Sequence, residues 1–350
     1  MTAIETASLR PGYTISRLVK GGWQLAAGHS DADRARAVDE MGDYVRAGVT
    51  TFDCADIYTG VEEKIGDFRR AARAAGEDAL LAPLKVHTKC VPDFDKLATI
   101  TKADVEATID RSLKRLSAER LDLVQFHWWD TGVPRYVEAA SWLTDFQKAG
   151  KIDLVGTTNF NTGCMEELVA SGFDAASIQL QFSLLDRRPT RRMVDFCARN
   201  NIGILCYGTV AGGFLSDRWL GVAEPAGPLE NRSLVKYKLI IDDMGGWDAF
   251  QSLLATLRRI ADRHGVDIAS VAMRAMLAEP QLAGIIVGVR HGGHLARHAA
   301  LFDLVLDADD HAQIDAALAE ATPLEGDVYD LERDRTGRHG RIMHYNLNAA

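Results

Sequence analysis

The sequence predicts an α/β fold, a (β/α)8 TIM barrel forming a single domain over residues 1–350. Three observations carry this expectation. Eight short apolar runs recur along the chain, amphipathic stretches of helical length lie between them, and a polar residue closes one run after another. Strand–helix alternation implies parallel strands joined by helical crossovers, and eight units favour closure into a barrel over an open sheet. A doubly wound sheet normally carries a glycine-rich turn after its first strand, whereas Lys20-Gly21-Gly22-Trp23 leads into no G-x-G-x-x-G.

The runs, in order, are 18–23 (LVKGGW), 49–53 (VTTFD), 84–89 (LKVHTK), 122–127 (DLVQFH), 152–157 (IDLVGT), 176–181 (ASIQLQ), 202–207 (IGILCY) and 283–288 (AGIIVG). Helices are expected over 33–47, 101–116, 135–148, 189–200 and 291–302, the second opening on Thr101 as its N-cap. The barrel is expected to span about 14–320. Residues 214–247, which carry Pro225, Pro228 and several glycines, interrupt the rhythm and are expected as a loop insertion, of the kind that covers sites. The polar tail 325–350 is expected either to be disordered or to fold over the barrel mouth.

Composition narrows the class. A 350-residue chain suits one large barrel, and a hydrophobic share of 47% with 25% charged residues is ordinary for a globular protein. A net charge of −9 argues against a general nucleic-acid binder, which needs a basic face for phosphates. No apolar run approaches the roughly 18 residues of a membrane span, and residues 1–11 lack a signal-peptide apolar core. Cys54, Cys90, Cys164, Cys197 and Cys206 are odd in number and form no C-x-x-C, so a reduced, cytoplasmic protein is expected.

In α/β barrels the C-terminal strand ends form the active face. Asp53, Lys89, His127 and Tyr207 end strands here, Thr158 and Asn159 follow one, and Gln179 lies within one. Any one of these alone is an ordinary loop or capping residue, but the whole set is too regular for that. Tyr58 follows Asp53 by five positions and overhangs the same mouth. A phenol with a pKa of about 10 is a poor acid at neutral pH, and an ammonium nearby lowers that value. Lys89 supplies the ammonium, Asp53 holds it, and His127 is placed to hydrogen-bond a carbonyl oxygen. Such a set polarises a carbonyl and protonates the alkoxide that forms. No side chain delivers hydride, so a cofactor must. Thr158, Asn159 and Gln179 suit an amide such as that of a nicotinamide, and Tyr207 suits stacking on its ring.

Residues 48–66 (GVTTFDCADIYTGVEEKIG) resemble the aldo-keto reductase signature, in which an Asp precedes a Tyr by five positions and Glu and Gly follow. LKVHTK, DLVQFHWWD, VGTTNF, IQLQFSLLDRR and ILCYGTVAGGFLS resemble the family's later blocks in the family's order, over roughly 18–302. The resemblance implies Asp53, Tyr58, Lys89 and His127 as the catalytic tetrad. It implies Thr158, Asn159 and Gln179 on the nicotinamide amide and Tyr207 on its ring. Gly208, Ala211, Gly212, Gly213 and Leu215 resemble the loop along the pyrophosphate. Gly288, Arg290 and residues 291–298 (HGGHLARH) resemble the stretch around the 2′-phosphate and adenine. That block usually ends in Glu and Asn, where this chain has Arg297 and His298. Arg290, His294 and Arg297 suit a 2′-phosphate, which implies NADPH over NADH. The implied activity is hydride transfer to an aldehyde or ketone, without a metal, the carbonyl compound being the only partner implied.

Trp23 and at least one of Trp128 and Trp129 are expected to line the substrate pocket, the other packing in the core. Cys54 and Cys90, beside Asp53 and Lys89, read as apolar fillers rather than a redox switch. His291 and His294 lack the spacing of a metal-dependent barrel hydrolase. The alternative function is a regulatory protein that binds NADPH with little turnover, similar to potassium-channel beta subunits.

Overall fold

The computed structural model describes residues 3–26, 31–288 and 295–348. The chain opens with an antiparallel hairpin, β1 (Thr6–Arg10) and β2 (Tyr13–Ser16). Eight strands then close into one all-parallel barrel in the order β10-β3-β4-β5-β6-β7-β8-β9. They are β3 (Leu18–Gly21), β4 (Thr51–Asp53), β5 (Lys85–Cys90), β6 (Leu121–Phe126), β7 (Ile152–Thr158), β8 (Ser177–Gln181), β9 (Gly203–Tyr207) and β10 (Leu282–Gly288). All eight coincide with the eight apolar runs. They are buried on both faces, which is why they read as runs rather than as alternations. Ile285 opposite Leu18 completes the ring.

The hairpin was not expected. Leu9, Tyr13 and Ile15 pack on Leu123, Ala176, Leu205 and Ala283, closing one end of the barrel. Outside the barrel, Thr101 accepts from the Asp104 amide in a capping box over the helix Lys102–Arg115, as its sequence position implied. The expected helix over 189–200 is a 3-10 turn, Arg188–Arg191, followed by the helix Met193–Asn200. No described helix is long and apolar enough to cross a membrane.

One segment differs from expectation, and another takes the second of its two expected forms. Residues 214–247 are not one loop: Asn231 caps a helix, Arg232–Asp243, by accepting from the Leu234 amide at 3.0 Å. The helix buries Leu234, Tyr237, Ile240 and Ile241, an i, i+3, i+4 stripe that overrides the glycines and prolines before it. The tail folds over the mouth. Asp327 accepts from the Thr162 amide at 2.9 Å, Asn161 donates to Asp330 at 3.0 Å, and Asn348 donates to the Val91 carbonyl at 2.7 Å. Its anchor is Glu332, whose carboxylate takes both terminal nitrogens of Arg188 at 3.1 and 3.2 Å while Asp186 takes the guanidinium from the other side. All three side chains are buried. Burial opposes ionisation of Glu332, but Arg188 and Lys236 outweigh it and hold the carboxyl down at about 2.

His87, inside the barrel, is fully buried with both ring nitrogens unsatisfied. Burial first, then the charges of Lys89 and Lys85, push it down to about 3. The unfolded chain binds a proton here below the ordinary value of about 6.5, and the folded chain does not until about pH 3, so stability falls as pH drops through that window. The variant His87→Gln should therefore lose about 2 kcal/mol less stability than wild type between pH 7 and pH 5 in urea unfolding; equal losses in the two proteins would refute this.

Candidate active site

The site is built on alternation. Residues two apart on a barrel strand face the same side, so β4, β5, β6 and β8 all present polar groups to one interior layer. The Asp53 carboxylate lies at its centre. Lys89 Nζ donates to Asp53 Oδ1 at 2.9 Å and to Oδ2 at 2.8 Å, and its third proton goes to the Cys54 carbonyl at 2.8 Å. Gln125 and Gln179 both donate to Asp53 Oδ1, at 3.1 and 2.6 Å. Gly22 permits this packing: its amide donates to the Asp53 carbonyl at 2.7 Å, and a Cβ there would lie 2.8 Å from that oxygen. Burial disfavours the Lys89 charge, yet Asp53 and Tyr58 outweigh it and hold the amine above its ordinary value.

Tyr58 stands over this pair, half-buried, with Lys89 Nζ 5.1 Å from its ring centre. All three Lys89 protons are already given to Asp53 and Cys54, so the ammonium acts on the phenol through space. Burial pushes the Tyr58 phenol up more than Lys89 pulls it down, with Asp53 adding to the rise. The expected lowering is therefore outweighed, and Tyr58 holds its proton at neutral pH. No described residue takes that O–H.

His127 corrects a second expectation. Its Nδ1 lies 3.1 Å from the Thr158 carbonyl, which only accepts, so Nδ1 carries the proton. Burial, then Arg333, push the imidazole down to about 3. Neutral His127 thus presents a lone pair at Nε2, which is buried and without a protein partner. It donates toward a carbonyl only if protonated or released from Thr158.

Thr158, Asn159, Gln179 and Tyr207 are brought together along the rim. Thr158 pairs with Gln179 across β7 and β8, and the Asn159 amide donates to the Gln179 carbonyl at 2.9 Å. The Tyr207 hydroxyl donates to Asn159 Oδ1 at 2.8 Å, which leaves the Asn159 NH2 without a partner among the described residues. This side-by-side acceptor and donor set fits an amide. Gln179, however, spends its NH2 on Asp53. Over the Tyr207 ring stands Lys236 Nζ, 5.0 Å from its centre. Gly208 and Gly212 have positive φ (79° and 66°), and Tyr237 of the helix Arg232–Asp243 packs into the space their missing side chains leave, while Gly212 itself stays exposed. Ala211 and Leu215 are fully buried, backbone included, and Gly213 between them is partly exposed.

The far end is less assembled. Gly288 ends β10, with Gln24 packed where a side chain would be. Arg290 and His294 lie outside the described residues. Arg297 is exposed and pairs with Asp267 at 3.2 Å, and His298 is buried rather than facing a groove.

The three tryptophans differ in their surroundings. Trp23 is exposed at the rim, 5.0 Å from the Tyr58 ring, and Trp129 meets the His127 ring edge-on at 4.4 Å. Trp128 is fully buried, its indole N–H given to the Val133 carbonyl at 2.9 Å, and it packs in the core instead of lining the pocket. All five cysteines are free, and burial raises the thiols of Cys54 and Cys90 well above their ordinary value, which leaves little thiolate. Among the described residues no three metal-ligating side chains cluster.

Several site residues were not foreseen. Gln125 was legible, because it precedes His127 by two on one strand. Asp56, in the Tyr58 loop, is pushed up to about 8 by burial and then by Glu62. Lys236, Tyr237, Tyr329 and Arg333 come from distant segments with no signal in the strand pattern.

A buried Asp–Lys pair beneath an unengaged phenol at the mouth of a parallel barrel is an arrangement chemically able to donate a proton. The chain belongs to the Aldo/keto reductase family, whose model matches residues 17–319, and so to a family of oxidoreductases. Flagellar radial spoke protein 5 of Chlamydomonas reinhardtii is 27% identical over 253 residues, 63% of this chain; the chain spans about half (48%) of that relative's length. The NADH-specific methylglyoxal reductase of Escherichia coli is 22% identical over 88% of this chain and 96% of its own. The barrel superposes on the crystal structure of an aldo-keto reductase from Klebsiella pneumoniae in complex with NADPH, with a TM-score of 0.68 at 20% identity, over 93% and 97% of the two chains.

Removing one member of a buried ion pair strands the other. Lys89→Met should cost about 3–5 kcal/mol in chemical denaturation. The double variant Asp53→Asn with Lys89→Met should recover at least half of that, giving a positive coupling; additive losses would mean the two groups are not one unit.

Proposed function

We propose that this protein reduces an aldehyde or ketone to an alcohol, with NADPH as the hydride source and Tyr58 as the acid, and without a metal. The observation that carries the proposal is the protonated, unengaged Tyr58 hydroxyl above the Asp53–Lys89 pair and beside the Thr158–Asn159–Gln179–Tyr207 rim. Thr158, Asn159 and Gln179 would hold the amide of a nicotinamide, and Tyr207 would hold its ring once Lys236 moves aside. The bound dinucleotide supplies the hydride that the protein cannot.

The residues themselves do the rest. Trp23 and Trp129 bound the mouth and exclude water from the carbonyl. The Tyr58 O–H would deliver its proton to the carbonyl oxygen, where negative charge would develop during reduction. The phenolate left behind is stabilised by the Lys89 ammonium 5.1 Å from the ring centre. Asp53 keeps that ammonium in place and charged. Solvent then returns the proton to Tyr58. His127, neutral at physiological pH, accepts a hydrogen bond at Nε2 and orients a hydroxyl, that of Tyr58 or of the product.

NADPH is the proposed nucleotide because the sequence block resembling the family's 2′-phosphate stretch carries Arg290, His294 and Arg297, although one relative is named for NADH. With free, high-pKa thiols, the proposed location is the cytoplasm.

The test is Tyr58→Phe. Removal of a general acid is expected to lower kcat by about 10²–10⁴-fold, while the dissociation constant for NADPH, read by fluorescence titration, changes less than threefold. NADPH should bind more tightly than NADH. Retained turnover in Tyr58→Phe would remove Tyr58 from the mechanism, and tight NADPH binding with no turnover by wild type would move the protein to the regulatory class.

A further inference from the structure

The other buried or part-buried cations of the mouth have acids: Lys89 has Asp53, Arg188 has Asp186 and Glu332, and Lys236 lies 3.8 Å from Glu332. Arg333 has none. It stands in the tail, on the short helix Asp330–Arg333. One terminal nitrogen donates to the Trp128 carbonyl at 3.1 Å. Its Nε and Nη1 are buried and have no hydrogen-bond partner. No carboxylate among the described residues lies within ion-pair distance. The two acids nearest in sequence are committed elsewhere, Asp330 to the Asn161 amide and Glu332 to Arg188. What surrounds the guanidinium is aromatic: the Tyr329 ring at 5.2 Å and the Phe160 ring at 5.7 Å.

A part-buried guanidinium with two buried, unsatisfied nitrogens is costly, and aromatic faces offset only part of that. A planar, permanently charged fork matches a carboxylate or phosphate. The place is also informative. The Tyr329 ring that covers Arg333 lies 5.9 Å from the His127 ring, so the guanidinium and the proposed proton-transfer groups are separated by one aromatic side chain. Tyr329 itself is held at φ 63°, a conformation that a bulky side chain rarely adopts and that tertiary contacts must impose.

We propose that Arg333 is a specificity residue that receives an oxyanion on the substrate, so that the preferred carbonyl compounds are acids carrying a carboxylate or phosphate several bonds from the carbonyl. This rests on the reductase reading, and the test separates the two. Wild type and Arg333→Met, which keeps length and removes charge, are compared on 4-carboxybenzaldehyde and on its neutral counterpart methyl 4-formylbenzoate. Glyceraldehyde 3-phosphate against glyceraldehyde distinguishes phosphate from carboxylate. Wild type should favour the acid over the ester at least tenfold in kcat/KM. Arg333→Met should raise KM for the acid at least tenfold with kcat little changed, and abolish the preference for acid over ester in kcat/KM. Arg333→Lys should restore part of the difference. Binding of terephthalate by calorimetry, in the presence of NADPH, asks the same question without chemistry and should weaken at least tenfold in Arg333→Met. Equal use of acid and ester by wild type, or an acid preference that survives in Arg333→Met, overturns the proposal. If no aldehyde is turned over, the reductase reading falls, and the terephthalate titration still decides Arg333: binding lost in the variant upholds the anion site, and binding equal in both proteins ends it.

Discussion

A carboxylate and an ammonium shut inside a barrel, away from water, must satisfy each other, and the Asp53–Lys89 pair organises the mouth of this protein. Neither charge is tolerable alone at that depth. Asp53 is met by two protons of Lys89 and by the amides of Gln125 and Gln179, and the last proton of Lys89 goes to the Cys54 carbonyl. Four strands are thereby cross-linked at one level. The arrangement also decides what remains for chemistry. With Lys89 fully committed, the Tyr58 hydroxyl is left free and protonated, and the ammonium touches it only by its field.

A second buried ionic cluster performs the same service for the tail. Asp186, Arg188 and Glu332 form a closed set, and Glu332 arrives from 144 residues further along the chain than Arg188. Its cost in desolvation is offset by near-complete hydrogen bonding, and its effect is positional. It sets Tyr329 against His127, holds Arg333 beside Trp128, and gives Lys236 a partner close to Tyr207. The mouth is thus defined as much by the tail and by the helix Arg232–Asp243 as by the barrel loops. Strands form the floor of the site, and elements outside the repeat form its roof.

Much of this was legible beforehand. Each barrel strand was visible because both its faces are buried, so hydrophobicity runs unbroken for the few residues a strand needs. The hairpin was missed although Pro11-Gly12 between two alternating segments is a turn signal. The helix Arg232–Asp243 was hidden behind prolines and glycines, yet Leu234, Tyr237, Ile240 and Ile241 keep helical spacing. Gln125 could have been placed by counting two back from His127. For Trp128 and Trp129, neighbours on the chain, only packing could say which was core.

The sequence by itself determined the barrel, the family and the residues that crowd its mouth, because strand period and strand order convert position in the chain directly into face and end of the barrel. Only the tertiary structure decided the state of those residues. That His127 spends its proton on Thr158, that burial overrides Lys89 at Tyr58, that Tyr237 lies over the glycine turn, and that Arg333 comes to the mouth without an acid all depend on contacts between distant segments. Such contacts leave no period in the sequence, and their energies come from burial and from partners that exist only once the chain has closed.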